Sequence, residues 1–360
     1  MISSRRLLDR IEKGRLGLNK GLPHGFDRLT EFIPNTQQST YYVVGGELGS
    51  GKSALTNNMF VYNPVDWYIA NKHNTDIKLS IKYYSFEIPK DDMGLKALAR
   101  KIYLEYGVLL DINYILSRGK NRVSEEHYKL VRDNLSYIDE VNSIVDIQDL
   151  PKNPTGIWYD MLGHAMKNGK GLKENKDQYG NKTYEFENEY VPNDPNLYTL
   201  MIVDHVGLAK KEREFNKKEV IDKLSEYMII LRNKCGFSPV VVQQLNRSIS
   251  SSDRFKLDRV EPQLSDFKES GCTQEDANVV MALFSPQRYE LEKYRNYDVR
   301  RLKNRFRSLS ILKNRDGDAD KVIGLKFIGE VGYFEELPKA DEMTENIYGS
   351  ITGIKKSYIE

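Results

Sequence analysis

The stretch GGELGSGKSALTNNMF, which begins at Gly45, limits what this chain can fold into more than any other. Within it, Gly46 to Ser53 reads G-x-x-x-x-G-K-S. A loop of that spacing needs glycines so that backbone N–H groups can curl around phosphate oxygens. It also needs a lysine to reach the outer phosphates and a hydroxyl for Mg²⁺. Gly46, Gly49, Gly51, Lys52 and Ser53 fill these roles, and Ser50 and Ala54 complete the surface offered to the nucleotide. The β-branched and aromatic run STYYVVGGE before the loop reads as a strand. KSALTNNMFVY after it reads as a helix, whose N-terminus favours anions. Motif and context agree, which argues against a plain glycine-rich turn. A nucleotide and Mg²⁺ are the expected ligands.

The strand–loop–helix pattern then recurs. LSIKYYSFE, NSIVDIQD, LYTLMIVDH, SPVVVQQL and NVVMALF read as strands. PKDDMGLKALARKIYLEYG, SEEHYKLVRDNLSYIDEV (capped by Ser124), PTGIWYDMLGHAMKNG and KKEVIDKLSEYMIILRNKCG read as helices. The near-continuous apolar run before Asp204 belongs to a strand buried on both faces. RSLSILKNRDGDADKVIGLKFIGEVGYFEEL reads as strands joined by an Asp-Gly turn. The fold class expected is α/β: a mostly parallel sheet flanked by helices, with an antiparallel extension at the C-terminal end. The domain reading is an arm over 1–19, a main domain over 20–337 and a tail over 338–360. The arm holds a short amphipathic helix over 3–14, with Leu7, Leu8 and Ile11 on one face, and GLNKGLPHGFDRL reads as a linker into the main domain. A polar Gly- and Asn-rich stretch, 167–196, reads as an inserted loop or surface hairpin.

Composition narrows the function classes. The 360 residues carry 54 basic and 52 acidic side chains, net +2, so any nucleic-acid surface must be a local patch. No apolar run is long enough to span a membrane, and the N-terminus lacks the pattern of a secretory signal. The two cysteines, Cys235 and Cys272, have no metal-ligand spacing; a reducing cytoplasm is the simplest location.

A nucleotide-hydrolysing site of this kind needs a carboxylate at a neighbouring strand end to hold the Mg²⁺ shell. Asp204, after LMIV, fits that position. Hydrolysis also needs a group that orients water, and Glu87 ends the strand YYSFE where it should meet the nucleotide.

In order along the chain stand GLPHGFDRL, GGELGSGKSAL, SFEIP, LMIVDHVGL, VVVQQLNRS, LSDFKESGCTQEDANVVMALF and ILKNRDG. Together they resemble the RecA-like C-terminal domain of DnaB-type replicative helicases, over residues 20–337. The resemblance implies an ATP-dependent ring helicase, a homo-hexamer with ATP sites between subunits that moves on single-stranded DNA and unwinds duplex. Lys52 and Ser53 would then bind phosphate and Mg²⁺, with Asp204 on the Mg²⁺ side and Glu87 activating water. Gln244 would sense the γ-phosphate. Lys313 and Arg315 would reach into the next subunit's site, Arg315 as arginine finger. Arg247, Lys268, Glu269 and Gly271 would face DNA. Primase or a helicase loader would be further partners.

Four features depart from that pattern, the 167–196 insertion being one. Lys268 stands where the family usually has arginine, which keeps the charge and loses the bidentate fork. Residues 1–19 are too few for the family's N-terminal helical domain, which fits a minimal, phage-borne version. The segment 288–307 is longer and more basic than the family's, with eight Lys/Arg against three Asp/Glu interleaved with Tyr289, Tyr294, Tyr297 and Phe306. That composition suits a single-strand groove and equally a solvated hairpin or subunit contact. The competing class is a RecA- or KaiC-like DNA-binding ATPase or recombinase without strand separation. A nucleotide-gated adaptor is the non-enzymatic alternative, and would need neither Glu87 nor Arg315.

Overall fold

A computed structural model describes residues 4–212, 215–246, 254, 260–267 and 271–359. Its strands are β1 (Tyr42–Gly46), β2 (Lys78–Ser85), β3 (Val145–Gln148), β4 (Gly169–Lys176), β5 (Lys182–Pro192), β6 (Leu197–Asp204) and β7 (Ser238–Gln244). They continue with β8 (Val279–Phe284), β9 (Lys293–Tyr294), β10 (Tyr297–Asp298), β11 (Phe306–Asn314), β12 (Lys321–Ile328) and β13 (Tyr333–Glu336). The helices that frame the sheet begin with α1 (Ser4–Arg15), α2 (Asp27–Thr30), α3 (Lys52–Asn57), α4 (Asn63–Asn71), α5 (Lys90–Tyr106) and α6 (Ile112–Ile115). After them come α7 (Glu125–Asp133), α8 (Ser136–Ile144), α9 (Pro154–Asn168) and α10 (Lys217–Ile230).

Nine strands make one sheet in the order β13-β12-β11-β8-β1-β7-β6-β2-β3. From β8 to β3 every pairing is parallel, and β11, β12 and β13 add an antiparallel end. This is the α/β sheet with antiparallel extension that the sequence predicts. Side chains alternate across a strand, so a strand buried on both faces feeds two cores at once. Val43, Met201, Val203, Val241 and Val280 enter the core beneath α9 and α10. Their neighbours Tyr42, Val44, Leu200, Ile202, Val240 and Met281 enter the core beneath α3, α4, α5 and α8.

Two local readings change. The region after Ser124 is two helices, broken at Asn134, whose side chain turns back to the Leu130 carbonyl at 2.8 Å. The stretch read as a linker belongs to the core: Leu22, Phe26 and Leu29 are 1% exposed or less. Gly25 has φ +84°, and a Cβ there would fall 2.0 Å from Asn63 Nδ2, so the chain passes this point only as glycine. The segment 167–196 does contain a hairpin: β4 and β5 pair antiparallel around a turn that leaves Tyr179 exposed. No helix among the described residues is long and apolar enough to cross a membrane.

Candidate functional site

Parallel strands present their C-terminal ends along one edge, where ligands of open α/β sheets gather. Four of the sequence-predicted residues meet there because their strands are neighbours. Gly46 ends β1 and is in register with Gln244, the end of β7. Asp204 ends β6 opposite Ser85, the end of β2, and Glu87 follows two residues on.

The loop itself has the predicted form. Gly49 and Gly51 hold φ of +72° and +103°, the left-handed region that other residues enter at a cost. A Cβ on Gly46 would lie 2.6 Å from Ser50 Oγ. Lys52 and Ser53 open α3, and Lys52 is buried. A cleft of about 230 Å³ adjoins the loop, lined by Gly49, Gly51, Lys52, Ser53, Ala54 and Glu87 among others. Its far wall is Phe327 and the β12–β13 turn, Gly329 to Gly332.

Asp204 is wholly buried, and burial pushes its carboxyl pKa up; hydrogen bonds from Ser53 and Tyr83 and the charge of Lys52 pull it back. The Tyr83 hydroxyl donates to Oδ2 at 3.0 Å, whereas Oδ1 has no hydrogen-bond donor. A buried carboxylate oxygen without a donor, beside a serine hydroxyl, suits a hard divalent cation or its water shell. Glu87 is exposed to the cleft, and its Oε2 lies 4.0 Å from Nε2 of His205. The Ser85 hydroxyl, donating to the Ile88 carbonyl at 2.5 Å, pins the turn that carries Glu87. Gln244 is half-buried beside a small pocket shared with Gln243 and His205.

Lys313 and Arg315 do not join this group. β11 runs against β8, so Asn314 stands opposite Val279, and Val279 opposite Tyr42, at the start of β1. That is the edge away from the loop, four residues or about 13 Å along β1 at ~3.3 Å per residue. There Lys313 Nζ donates to the carbonyls of Gln274 (2.8 Å) and Glu275 (2.6 Å), and Arg315 donates to Glu275 O at 2.9 Å. Burial and the neighbouring Arg315 lower the pKa of Lys313. Arg232 adds a third cation to this edge and donates to Asn278 Oδ1 at 2.8 Å.

Arg247, Lys268 and Glu269 lie outside the described residues. Gly271 precedes the helix Cys272–Asp276 at φ −77°, and a Cβ there would meet nothing nearer than 3.6 Å. The fold of this chain alone does not demand a glycine at that position.

The stretch 288–307 is not an open stacking groove. Tyr289, Tyr294, Tyr297 and Phe306 are all buried, with Tyr294 and Tyr297 each within 6.3 Å of the Phe306 ring centroid. Rings spent on the core cannot stack on bases, so the interleaving of rings and charges in sequence records packing. Three of its side chains instead hold the phosphate loop. Arg288 donates to the Leu48 carbonyl, Tyr289 OH to Glu47 Oε1 at 2.6 Å, and Arg307 Nε to the Ser50 carbonyl at 2.8 Å. Sequence reasoning missed these contacts and Tyr83. The one usable sign was Arg307 itself, an arginine inside the apolar strand FRSLSIL.

Sheet order and loop together define a P-loop nucleotide-binding protein of RecA-like fold. Residues 189–336 match the DnaB-like helicase C terminal domain. The replicative DNA helicase DnaB of Nostoc sp. is 21% identical over 262 residues, 73% of this chain and 24% of that protein. The replicative DNA helicase DnaB of Leifsonia xyli is 21% identical over 333 residues, 92% of this chain and 59% of that protein. The chain thus spans less than two thirds of the length of these relatives. Among solved structures, a separate ATPase domain superposes with a TM-score of 0.66 at 18% identity, over 93% of this chain and 99% of that one. A DnaB-like replicative helicase studied with primase gives a TM-score of 0.61 at 18% identity, over 88% and 64%.

Proposed function

We propose that this chain is the ATP-driven motor of a replicative DNA helicase, working as a ring on single-stranded DNA. The observation that carries the reading is the division of its candidate residues between two edges of one sheet. Lys52, Ser53, Glu87, Asp204 and Gln244 share the edge with the phosphate loop. Lys313 and Arg315 share the other. A lysine–arginine pair so placed is of no use to its own loop, but two copies stacked head to tail would join one copy's loop to the next copy's pair. Repeating that contact with a closing rotation makes a ring. A homo-hexamer with nucleotide between subunits is the assembly proposed.

In this reading Lys52 and the loop N–H groups hold the β- and γ-phosphates. Glu87 accepts a proton from the attacking water. Arg315 from the neighbour stabilises charge as the γ-phosphoryl leaves. Ser53 and Asp204 would hold Mg²⁺, which when bound neutralises phosphate charge. The donorless Oδ1 of Asp204 is consistent with that group. Gln244 sits between the cleft edge and the segment that follows β7, a position suited to relaying nucleotide state to DNA. Arg247, Lys268, Glu269 and Gly271 are proposed to meet the DNA backbone. The open space around Gly271 supports a close approach by a phosphate from outside the chain. Primase or a loader is proposed as a partner of the assembled ring.

The test is strand displacement on forked duplexes with ATP and Mg²⁺, one tail polarity at a time, with Lys52→Ala as control. Unwinding that needs ATP and a single-stranded tail supports the motor. ATP hydrolysis stimulated by single strands with no displacement on either fork would favour the recombinase-like alternative.

A further inference from the structure

Arg307 is a large charged side chain at 2% exposure, and no carboxylate among the described residues pairs with it. Its four hydrogen bonds all go to neutral oxygens. Nε meets Ser50 O (2.8 Å), Nη1 meets Asn304 O (2.9 Å) and Phe306 O (2.7 Å), and Nη2 meets Asn304 Oδ1 (2.9 Å). The guanidinium lies over the Phe327 ring, 4.9 Å from its centroid, and Phe327 also walls the nucleotide cleft. Burial and the charge of Arg288 push its pKa down to about 10, which leaves it cationic at neutral pH. Buried charges are ordinarily paired, because leaving water without a counterion is costly. Here the Ser50 carbonyl it grips belongs to the phosphate loop, and Arg288 grips a second loop carbonyl, Leu48 O, from the solvent side. A Cβ on Gly49 would find Arg288 Nη1 as its nearest atom, at 3.8 Å.

We infer that Arg307 and Arg288 are positioning residues of the phosphate site. They hold the Leu48 and Ser50 carbonyls turned away from the ligand so that the loop's N–H groups face it. The polyphosphate of a bound nucleotide is then the counterion that the buried Arg307 lacks. Each residue acts through the loop and touches no reacting atom. The inference rests on the nucleotide-binding reading above and adds to it two residues that lie outside the G-x-x-x-x-G-K-S motif.

The experiment measures the affinity of the full chain for ATP and for inorganic tripolyphosphate by calorimetry, for wild type, Arg307→Gln, Arg307→Lys and Arg288→Gln. An effect carried through partly buried charge is expected to weaken both ligands about tenfold in Arg307→Gln. Arg307→Lys, which keeps the charge, should stay within about threefold of wild type, and Arg288→Gln should fall between. A purely structural arginine would change the unfolding midpoint without changing affinity. A folded Arg307→Gln that binds both ligands as wild type does overturns the inference, as do equal losses in the lysine and glutamine variants. Should Arg307→Gln not fold, the exposed Arg288→Gln decides: wild-type affinity for both ligands would overturn the proposal. If wild type binds neither ligand, the nucleotide reading itself fails and this inference falls with it.

Discussion

The backbone N–H of Arg315 donates to the carbonyl of Asn278 at 2.9 Å, on the sheet edge opposite Gly46. Asn278 in turn donates its N–H to the Tyr41 carbonyl at 2.8 Å, just before β1 begins. Arg315 is therefore fixed to the strand that carries the phosphate loop, but at its wrong end. If it serves catalysis, it serves another subunit. Arg315→Ala and Lys52→Ala should each be nearly inactive alone, since an arginine finger contributes about 10³–10⁵ in rate in well-studied phosphoryl transfer. Mixed after subunit exchange, they should regain part of the ATPase activity, because some interfaces then pair an intact loop with an intact arginine. Mixtures that exchange subunits and stay as inactive as the separate variants would rule out action in trans.

Glu87 and Lys52 face the same cleft with different tasks. Lys52→Ala should lose hydrolysis together with tight phosphate binding. Glu87→Gln should keep ATP binding near wild type and lose turnover, since in the proposed function only the proton acceptor is removed. Binding by calorimetry and turnover by phosphate release separate the two. Turnover at the wild-type rate in Glu87→Gln would show that the carboxylate is not the acceptor.

Tyr83 supports Asp204 through one hydrogen bond inside the protein. Tyr83→Phe should cost about 1.5–3 kcal/mol of stability, the usual range for a hydrogen bond to a charged group, read from denaturant unfolding. The raised pKa of Asp204 gives a pH dependence of known sign. The folded state holds its proton more tightly than the unfolded chain. This contribution is therefore fully present below the unfolded pKa and is lost as pH rises through the folded one. In the proposed site Mg²⁺ would favour the ionised carboxylate, so any stabilisation by Mg²⁺ should grow as pH rises from mildly acidic to neutral. Asp204→Asn should remove that growth. A Mg²⁺ effect independent of pH in wild type would separate Asp204 from the metal.

α1 leaves Leu7, Leu8 and Ile11 at 46%, 65% and 68% exposure, with Leu16 and Leu18 also open. Five large apolar side chains over so short a span would find a partner in a neighbouring subunit of the proposed ring. Removing residues 1–16 should shift the assembly to smaller species. Light scattering at low protein concentration tests this, and an unchanged mass would exclude α1 as an inter-subunit contact.

What could be read from the sequence was whatever depends on near neighbours. The phosphate loop is one contiguous turn whose glycines, lysine and serine each have a local reason, so its eight residues are legible as a word. The parallel strands were legible because two-sided burial leaves an unbroken apolar run, as in LYTLMIVD. The role of 288–307 stayed open between a groove and a hairpin or contact for the complementary reason. Alternating rings and charges look the same in sequence whether the rings meet bases or Phe284 and Phe306.

By itself the sequence determined the nucleotide loop, the α/β class and the carboxylates at strand ends, because spacing along a strand or turn fixes geometry within a few residues. Tertiary structure alone decided that Tyr83 reaches Asp204, that Arg307 reaches Ser50 from 257 positions away, and that Arg315 lies on the far edge from its own loop. Those relations follow from strand order and from the antiparallel turn of β11. Both are set by how the sheet satisfies its hydrogen bonds and buries its two faces, and neither is written in any local run of residues.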